Sequence, residues 1–324
     1  MRNLVSRMLG HVGWHYRDQR RKLRKLRKLR MLWASLFPGP AIAGLNLRNF
    51  LSRQRITAPS GPVVSITSYG DRAKSVHIAI ESIARGVAKP GRAILWLDDE
   101  LIMMSLPAPL KRLRRRGLEI RLAESLGPHT KYFPYVSSES SFEVPLVTAD
   151  DDVIYPSSWL AELEAAYASR PSVINCHRAR VIGVDGGQFA PFRSWRFCES
   201  SAPSLGYFFE GVSGVIYPPQ FLEVLKVSGR AFLELCPKHD DLWLNVIALR
   251  NSWTVAQIRP TPARFEYIPN TQDAGLWRQN IGEAGDAQIA RVFNCEDIAR
   301  LVRTDDSQRS QRLRQNVDSP QLVR

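Results

Sequence analysis

With 324 residues and 44% apolar side chains, the chain is long enough for one large α/β domain or two ordinary ones with a well-buried core, a composition that fits a folded protein and excludes a disordered one. The formal charge of +14 first suggests nucleic acid, but the charge is not spread along the chain: residues 1–60 hold 14 Lys and Arg against the single acid Asp18, and the remaining 264 residues carry 31 basic and 30 acidic side chains. The body is therefore nearly neutral. With no nucleic-acid fold signature beside the charge, no nucleic-acid partner is expected.

The basic excess peaks in "RRKLRKLRKLRMLWASLF", where Leu23, Leu26, Leu29 and Leu32 recur every third residue and Trp33, Leu36 and Phe37 follow. On a helix these leucines form a slowly drifting stripe under a cationic surface, the pattern of a segment lying on an anionic membrane face, so residues 1–37 are expected to meet such a membrane. A spanning helix needs roughly 20 apolar residues, and the nearest candidate, "MLWASLFPGPAIAGL", is shorter and broken at Pro38 and Pro40. The expectation is a peripheral protein with no span. Cys176, Cys198, Cys236 and Cys295 are too scattered for zinc or a redox dithiol and read mostly as small core residues in a reducing compartment.

After a linker containing "TAPSGP", strands alternate with helices. "PVVSITSYG" reads as a β-rich run, "RAKSVHIAIESIARG" as a helix stopped by Gly86, and "RAILWLDDE" as a buried strand ending in acids. "PAPLKRLRRRG" follows as a helix with a basic face, "LEIRLAE" as a third strand and "FEVPLVTADDD" as a fourth. This succession predicts an α/β fold with a mostly parallel sheet flanked by helices. Further on, "WLAELEAAYASRP" reads as a helix, "SVINCHRARVIG" as one strand, "FLEVL" as a short helix, "HDDLWLNVIALRN" as a helix opening on acids, "SWTVAQI" as a strand and "DAQIARVF" as a late helix. The polar end of the chain reads as a frayed tail.

Ligands of parallel α/β sheets sit beyond the carboxyl ends of the strands, which is where Asp150, Asp151 and Asp152 fall. Adjacent carboxylates raise one another's pKa, so the cluster costs free energy unless a cation or several donors offset it. Mg²⁺ and Mn²⁺ prefer such ligands and commonly combine one or two carboxylates with substrate phosphates. A helix N-cap or Asx turn before Pro156 explains one aspartate well and three poorly. A calcium loop would need acids alternating over about a dozen residues, whereas "DDDVIYPSSWLA" turns apolar at once.

The ordered set "VVSITSYGDR", "ILWLDDE", "GPHTKYFP", "VTADDDVIYP", "GVSGVIYPP" and "HDDLWL" resembles the nucleotide-sugar glycosyltransferases of the GT-A fold, especially bacterial family-two-like members. The resemblance spans roughly residues 62–290. It implies a GT-A (Rossmann-like) mixed sheet over residues 61–300, with a basic helical extension over 1–60 and a polar tail over 301–324. It also implies Mn²⁺ or Mg²⁺ as cofactor and a nucleotide-sugar as donor. On the matching positions, Asp150 would face the ribose or the metal shell, Asp152 would be the principal metal ligand and Asp151 would assist. Asp241 would be the base that takes the acceptor's proton, and Asp240 would position the acceptor or the base. Thr67, Tyr69, Arg72 and Asp99 would meet the nucleotide, Lys131 a phosphate or the aspartate cluster, and Gly211 and Gly214 would let backbone approach the sugar. Trp277 and Asn280 could line the closing side, although Trp277 reads slightly better as core packing; His129 reads as a packed or capping residue, and no third metal ligand is evident.

A single Asp base with no covalent partner implies one displacement with inversion, with retention left open. The expected activity is transfer of a sugar to a hydroxyl of a cell-surface glycan or lipid-linked acceptor, by an enzyme peripheral on the inner, cytoplasmic face of the membrane. The alternatives are a non-catalytic membrane- or nucleic-acid-binding adaptor and a metal-dependent diphosphate hydrolase.

Overall fold

The computed structural model describes residues 39–272 and 283–303. The amphipathic segment 1–37, Trp277, Asn280 and the end of the tail lie outside them. The chain divides into two compact units, residues 1–47 and 48–324. The described part of the first is residues 39–47, which begin the helix Gly39–Leu51. Pro40, expected to break the segment, sits in the first turn of this helix, where a backbone N–H has no intrahelical acceptor to lose. Among the described residues no helix is long and apolar enough to cross a membrane.

The second unit is built on a mixed seven-stranded sheet: β1 (Val63–Ser68), β2 (Arg92–Leu97), β3 (Leu118–Leu122), β4 (Leu146–Ala149), β5 (Ile174–Cys176), β6 (Val215–Tyr217) and β7 (Val255–Gln257). Their spatial order is β7-β5-β6-β4-β1-β2-β3. All neighbours pair in parallel except β6, which runs antiparallel to both β4 and β5. Both faces are covered, as the continuous apolar runs of the strands require. Val63, Ile94, Trp96 and Leu146 face a core with the helices Phe133–Ser138, Pro219–Ser228 and Asp240–Arg250; Val64, Ile66, Leu95 and Val147 face another with the helices Val76–Ala84, Ala108–Arg115 and Trp159–Ser169.

This topology brings distant segments to one edge. β1, β2, β4 and β5 are parallel to one another in the sheet, so the residues after Ser68, Leu97, Ala149 and Cys176 all emerge there. β6 runs the other way, with Val215 opposite Thr148, so the segment that precedes it, Glu210–Gly214, emerges at the same edge.

One expected element is corrected. "SVINCHRARVIG" is not one strand: after Cys176 the chain leaves the main sheet, and Ala179–Val181 pairs antiparallel with Tyr207–Phe209. Gln257 Oε1 accepts the Ala179 N–H at 2.9 Å, supplying a partner that a continued ladder would have provided. "YFFEGVSGVIYPP" forms two short strands, parted by the 3₁₀ turn Gly211–Ser213 and by Gly214, whose φ of 96° favours glycine.

Candidate active site

A cavity of about 930 Å³ opens at this edge. Its floor begins with the three aspartates that follow β4, whose side chains share two cations, Lys131 and Arg72. Asp150 Oδ1 lies 2.6 Å from Lys131 Nζ. Asp151 accepts the Ser68 hydroxyl at 2.6 Å and lies 2.7 Å from Arg72. Asp152 pairs with the same Arg72 and accepts the Gln272 side-chain N–H at 2.7 Å. The backbone is held as well: the Asp150 N–H donates to the Tyr155 hydroxyl, and the Ile268 N–H to the Asp152 carbonyl, both at 2.7 Å. A helix cap or turn would show side-chain bonds to nearby backbone N–H groups, and the cluster makes ion pairs across the fold instead.

Lys131 ends the 3₁₀ turn Gly127–Lys131, which is tied to β1 where the Ser65 hydroxyl donates to the Lys131 carbonyl at 2.6 Å. Its ammonium is buried between Asp150 and, at 3.3 Å, Asp240. Burial disfavours the charge, but Asp150, Asp240 and Asp241 outweigh it and hold the lysine well above its ordinary range. Asp152 shows the opposite balance: burial and then the Asp150 charge raise its carboxyl to about 7, against the pull of Arg72. Burial also raises Asp151, with Arg72 and Ser68 opposing. The floor therefore carries more negative charge than its two cations neutralise.

Asp240 and Asp241 open the helix Asp240–Arg250, capped by His239, whose Nδ1 accepts the Leu242 N–H at 3.2 Å. Burial lowers His239 to about 4, so the ring is neutral. The two acids diverge. In Asp240 burial is outweighed by Lys131 and two histidines, and its pKa falls; in Asp241 burial and the Asp240 charge push the pKa well up. Neighbouring groups whose environments separate their pKa values in this way are suited to distinct acid–base roles. Asp241 is gripped by the Gly211 N–H, 3.0 Å from each carboxylate oxygen. A Cβ at Gly211 would come within 2.6 Å of Asp241 Oδ1, and one at Gly214 within 2.5 Å of the Trp159 ring nitrogen. Among the described residues these glycines make way for Asp241 and Trp159.

Thr67, Tyr69, Arg72, Lys131, Asp150, Asp151, Asp152, Asp240 and Asp241 all line the cavity. Asp99 does not. Its Oδ1 caps the helix Glu100–Met104, accepting the Leu101 and Ile102 N–H groups at 2.8 and 3.2 Å, and its predecessor Asp98 lines the cavity with Ser125 bonded to it at 2.7 Å. His129 is packed, stacked on Phe232 at 4.1 Å with Nε2 on the Cys236 carbonyl at 2.9 Å. The sequence reading missed Arg178, Arg180, Glu210, His239, Tyr267 and Gln272, which also line the cavity. One signal was present: Arg178 and Arg180 are two residues apart, the spacing that puts side chains on one face of an extended segment.

Among the described residues no three of His, Cys, Asp and Glu converge as a cation held by protein alone would require. The donor set fits a hard divalent ion of the other kind, which takes one or two carboxylates and completes its shell with phosphate and water. The surplus negative charge around Asp150 and Asp152 is what such an ion would offset.

No family model and no curated protein matches the chain. Among solved structures it is similar to S. aureus TarS 1–349, at 14% identity over 73% of this chain and 71% of that one with a TM-score of 0.44. It is similar to the Pyrobaculum calidifontis mannosyltransferase PcManGT in complex with GDP-Man and Mn²⁺, at 14% identity over 76% and 69% of the two chains with a TM-score of 0.44. It is also similar to the T. maritima inositol-1-phosphate CTP transferase, at 10% identity over 73% and 97% with a TM-score of 0.39. Likenesses at these identities and scores carry no inference about the activity of this chain.

Proposed function

We propose that the protein is a metal-dependent glycosyltransferase that moves a sugar from a nucleotide-sugar donor to a hydroxyl of a cell-surface glycan or lipid-linked acceptor. The observation that carries this reading is the division of labour in one cavity. Asp241, with raised proton affinity and gripped by Gly211, stands beside the paired chain Asp240–Lys131–Asp150 and the overcharged Asp152.

The donor's nucleotide would lie beyond β1, against Thr67, Tyr69 and Arg72. Asp150 and Asp152 would hold Mn²⁺ or Mg²⁺, whose chemistry is to neutralise charge that grows on the departing nucleoside diphosphate. Asp241, ionised, accepts the proton of the attacking hydroxyl while the hydroxyl's oxygen bonds to the anomeric carbon and the bond to the diphosphate breaks. A carboxylate with raised pKa is the stronger base for that transfer. Asp240 is a positioning residue: it fixes Lys131, which in turn fixes Asp150. With one base and no covalent partner the displacement inverts the anomeric centre. The basic segment 1–37 would hold the enzyme on the inner face of the cytoplasmic membrane, near a lipid-linked acceptor.

The test is a thermal-shift panel of UDP, GDP, CMP and dTDP, each with and without Mn²⁺, on wild type and Asp152→Asn. A metal-dependent rise with one nucleotide that the variant loses supports the reading and names the donor class, because a ligand stabilises the state it binds. No rise with any nucleotide counts against it and favours the adaptor. Unchanged vesicle binding after deletion of residues 1–34 would remove the membrane role.

A further inference from the structure

The chemistry above uses one end of the cavity. The other end is walled by the segment that leaves β5, which carries Arg178 and Arg180. Both guanidiniums share one carboxylate: Arg178 Nε pairs with Glu210 Oε2, and Arg180 Nε lies 2.9 Å from Glu210 Oε1. Both also lie over the Phe197 ring, at 4.8 and 4.3 Å from its centroid. Arg180 is fixed further by Nη1, which donates to the Trp195 carbonyl at 2.9 Å. The carboxylate and the ring therefore hold each guanidinium by its Nε edge and its flat face. Both Nη groups of Arg178 and Nη2 of Arg180 have no hydrogen-bond partner among the described residues, although both residues line the cavity.

Two cations against one carboxylate leave this wall net positive, the reverse of the aspartate floor. A preorganised guanidinium with its Nη edge free matches an oxyanion, phosphate or carboxylate, better than a neutral sugar hydroxyl. The wall is also built into the support of Asp241: Glu210 immediately precedes Gly211, whose N–H grips that carboxylate. In the sheet it stands apart from the aspartates, because β6 separates β5 from β4 and β1, whose ends carry Asp150–Asp152 and Arg72.

We infer that Arg178 and Arg180 form an oxyanion subsite for the acceptor, so that the hydroxyl receiving the sugar belongs to a molecule bearing a phosphate or carboxylate group. This rests on the transferase reading, and the experiment separates the two. Full-length protein in EDTA is titrated calorimetrically with glycerol 1-phosphate, with glucuronate and with neutral glycerol. Wild type is expected to bind at least one of the anions and not glycerol, and the anion that binds names the acceptor class. Arg178→Gln and Arg180→Gln should each weaken that binding at least tenfold, while Arg230→Gln, at an exposed arginine outside the cavity lining, retains it. Equal binding of glycerol, no anion binding, retention in the wall variants or loss in Arg230→Gln each overturns the inference. In the nucleotide panel Arg178→Gln should match wild type, and loss of its nucleotide response assigns the pair to the donor and overturns the subsite. A wild type that answers to no nucleotide defeats the transferase reading, while the anion titration still decides the oxyanion site.

Discussion

Replacing Asp152 by asparagine tests the electrostatics of the aspartate floor without any ligand. Burial and the charge of Asp150 raise this carboxyl from 3.8 to about 7 although Arg72 lies against it. At about 1.4 kcal/mol per pH unit, ionising it in the folded chain costs about 4 kcal/mol more than in the unfolded one. Between about pH 4 and pH 7 the folded chain holds this proton more tightly than the unfolded chain does. Its contribution to stability therefore falls as pH rises through that window, and the loss is complete near pH 8. Asparagine keeps the shape and an oxygen for Gln272 while removing the charge, and Arg72 retains Asp151 at 2.7 Å. Metal-free Asp152→Asn is expected to exceed wild type at pH 8 by about 2–4 kcal/mol, the lower figure allowing for the lost pairing with Arg72. That corresponds to a rise in Tm of roughly 3–6 °C. At pH 5 the gain should shrink to about a third of that, because the folded carboxyl is still protonated and the medium is only about one pH unit above the unfolded carboxyl's pKa. Urea melts in EDTA at both pH values measure the difference. A variant less stable at pH 8 would mean that the attraction of Arg72 outweighs burial, and an equal gain at pH 5 would mean that charge is not the cause; either refutes the reasoning.

Asp241→Asn should lower sugar transfer by about 10²–10⁴-fold with an unchanged nucleotide thermal shift, and wild-type kcat/KM should rise with pH through a pKa above the ordinary carboxylate range, since the base must be ionised. Gly211→Ala places a Cβ where Asp241 Oδ1 stands, 2.6 Å away, and should reduce kcat by about 10²-fold with little change in donor KM; steady-state kinetics decide. Lys131→Met leaves Asp150 and Asp240 without their shared cation and should destabilise the protein by about 3–5 kcal/mol at pH 8; an unchanged urea midpoint would mean that the pairs contribute nothing. Asp99→Ala should lose about 1 kcal/mol as a broken helix cap and keep nucleotide binding, and a lost nucleotide shift would return Asp99 to the site.

The first half of the fold was legible because its signals are local. "VVSITS", "RAILWL" and "LEIRL" are short apolar or β-branched runs between helices, and they form β1, β2 and β3 within a residue or two of expectation. The second half was not, because its strands are two or three residues long and their pairing depends on partners far away in sequence. Nothing in "INCHRARV" marks the point after Cys176 where Gln257 takes over the backbone bond and turns the chain away. The aspartates were legible as a cluster, since three adjacent carboxylates need an explanation wherever they fall. Their partners were not: Arg72, Lys131 and Gln272 come from three other segments, and only the sheet order brings them together. Asp99 failed for a simpler reason. Asp98 and Asp99 are equivalent in sequence, but extended backbone sends successive side chains to opposite sides, and the second met the N–H groups of the helix Glu100–Met104.

The opposite polarity of the two ends of the cavity bears on how a transferase would keep its substrates apart. The floor gathers Asp150–Asp152 and Asp240–Asp241 around Arg72 and Lys131, whereas the wall sets Arg178 and Arg180 against Glu210 alone. An anionic diphosphate gains at the floor only with a cation to offset the surplus carboxylates, so donor binding there would be conditional on the metal. An acidic acceptor would meet repulsion at the floor and attraction at the wall, and needs no metal to choose. Asp241, beside the floor through Asp240 and beside the wall through Gly211, stands where the two fields meet. A base there feels both: burial and the carboxylates of the floor raise its proton affinity, and a divalent cation held beside Asp150 and Asp152 would lower it.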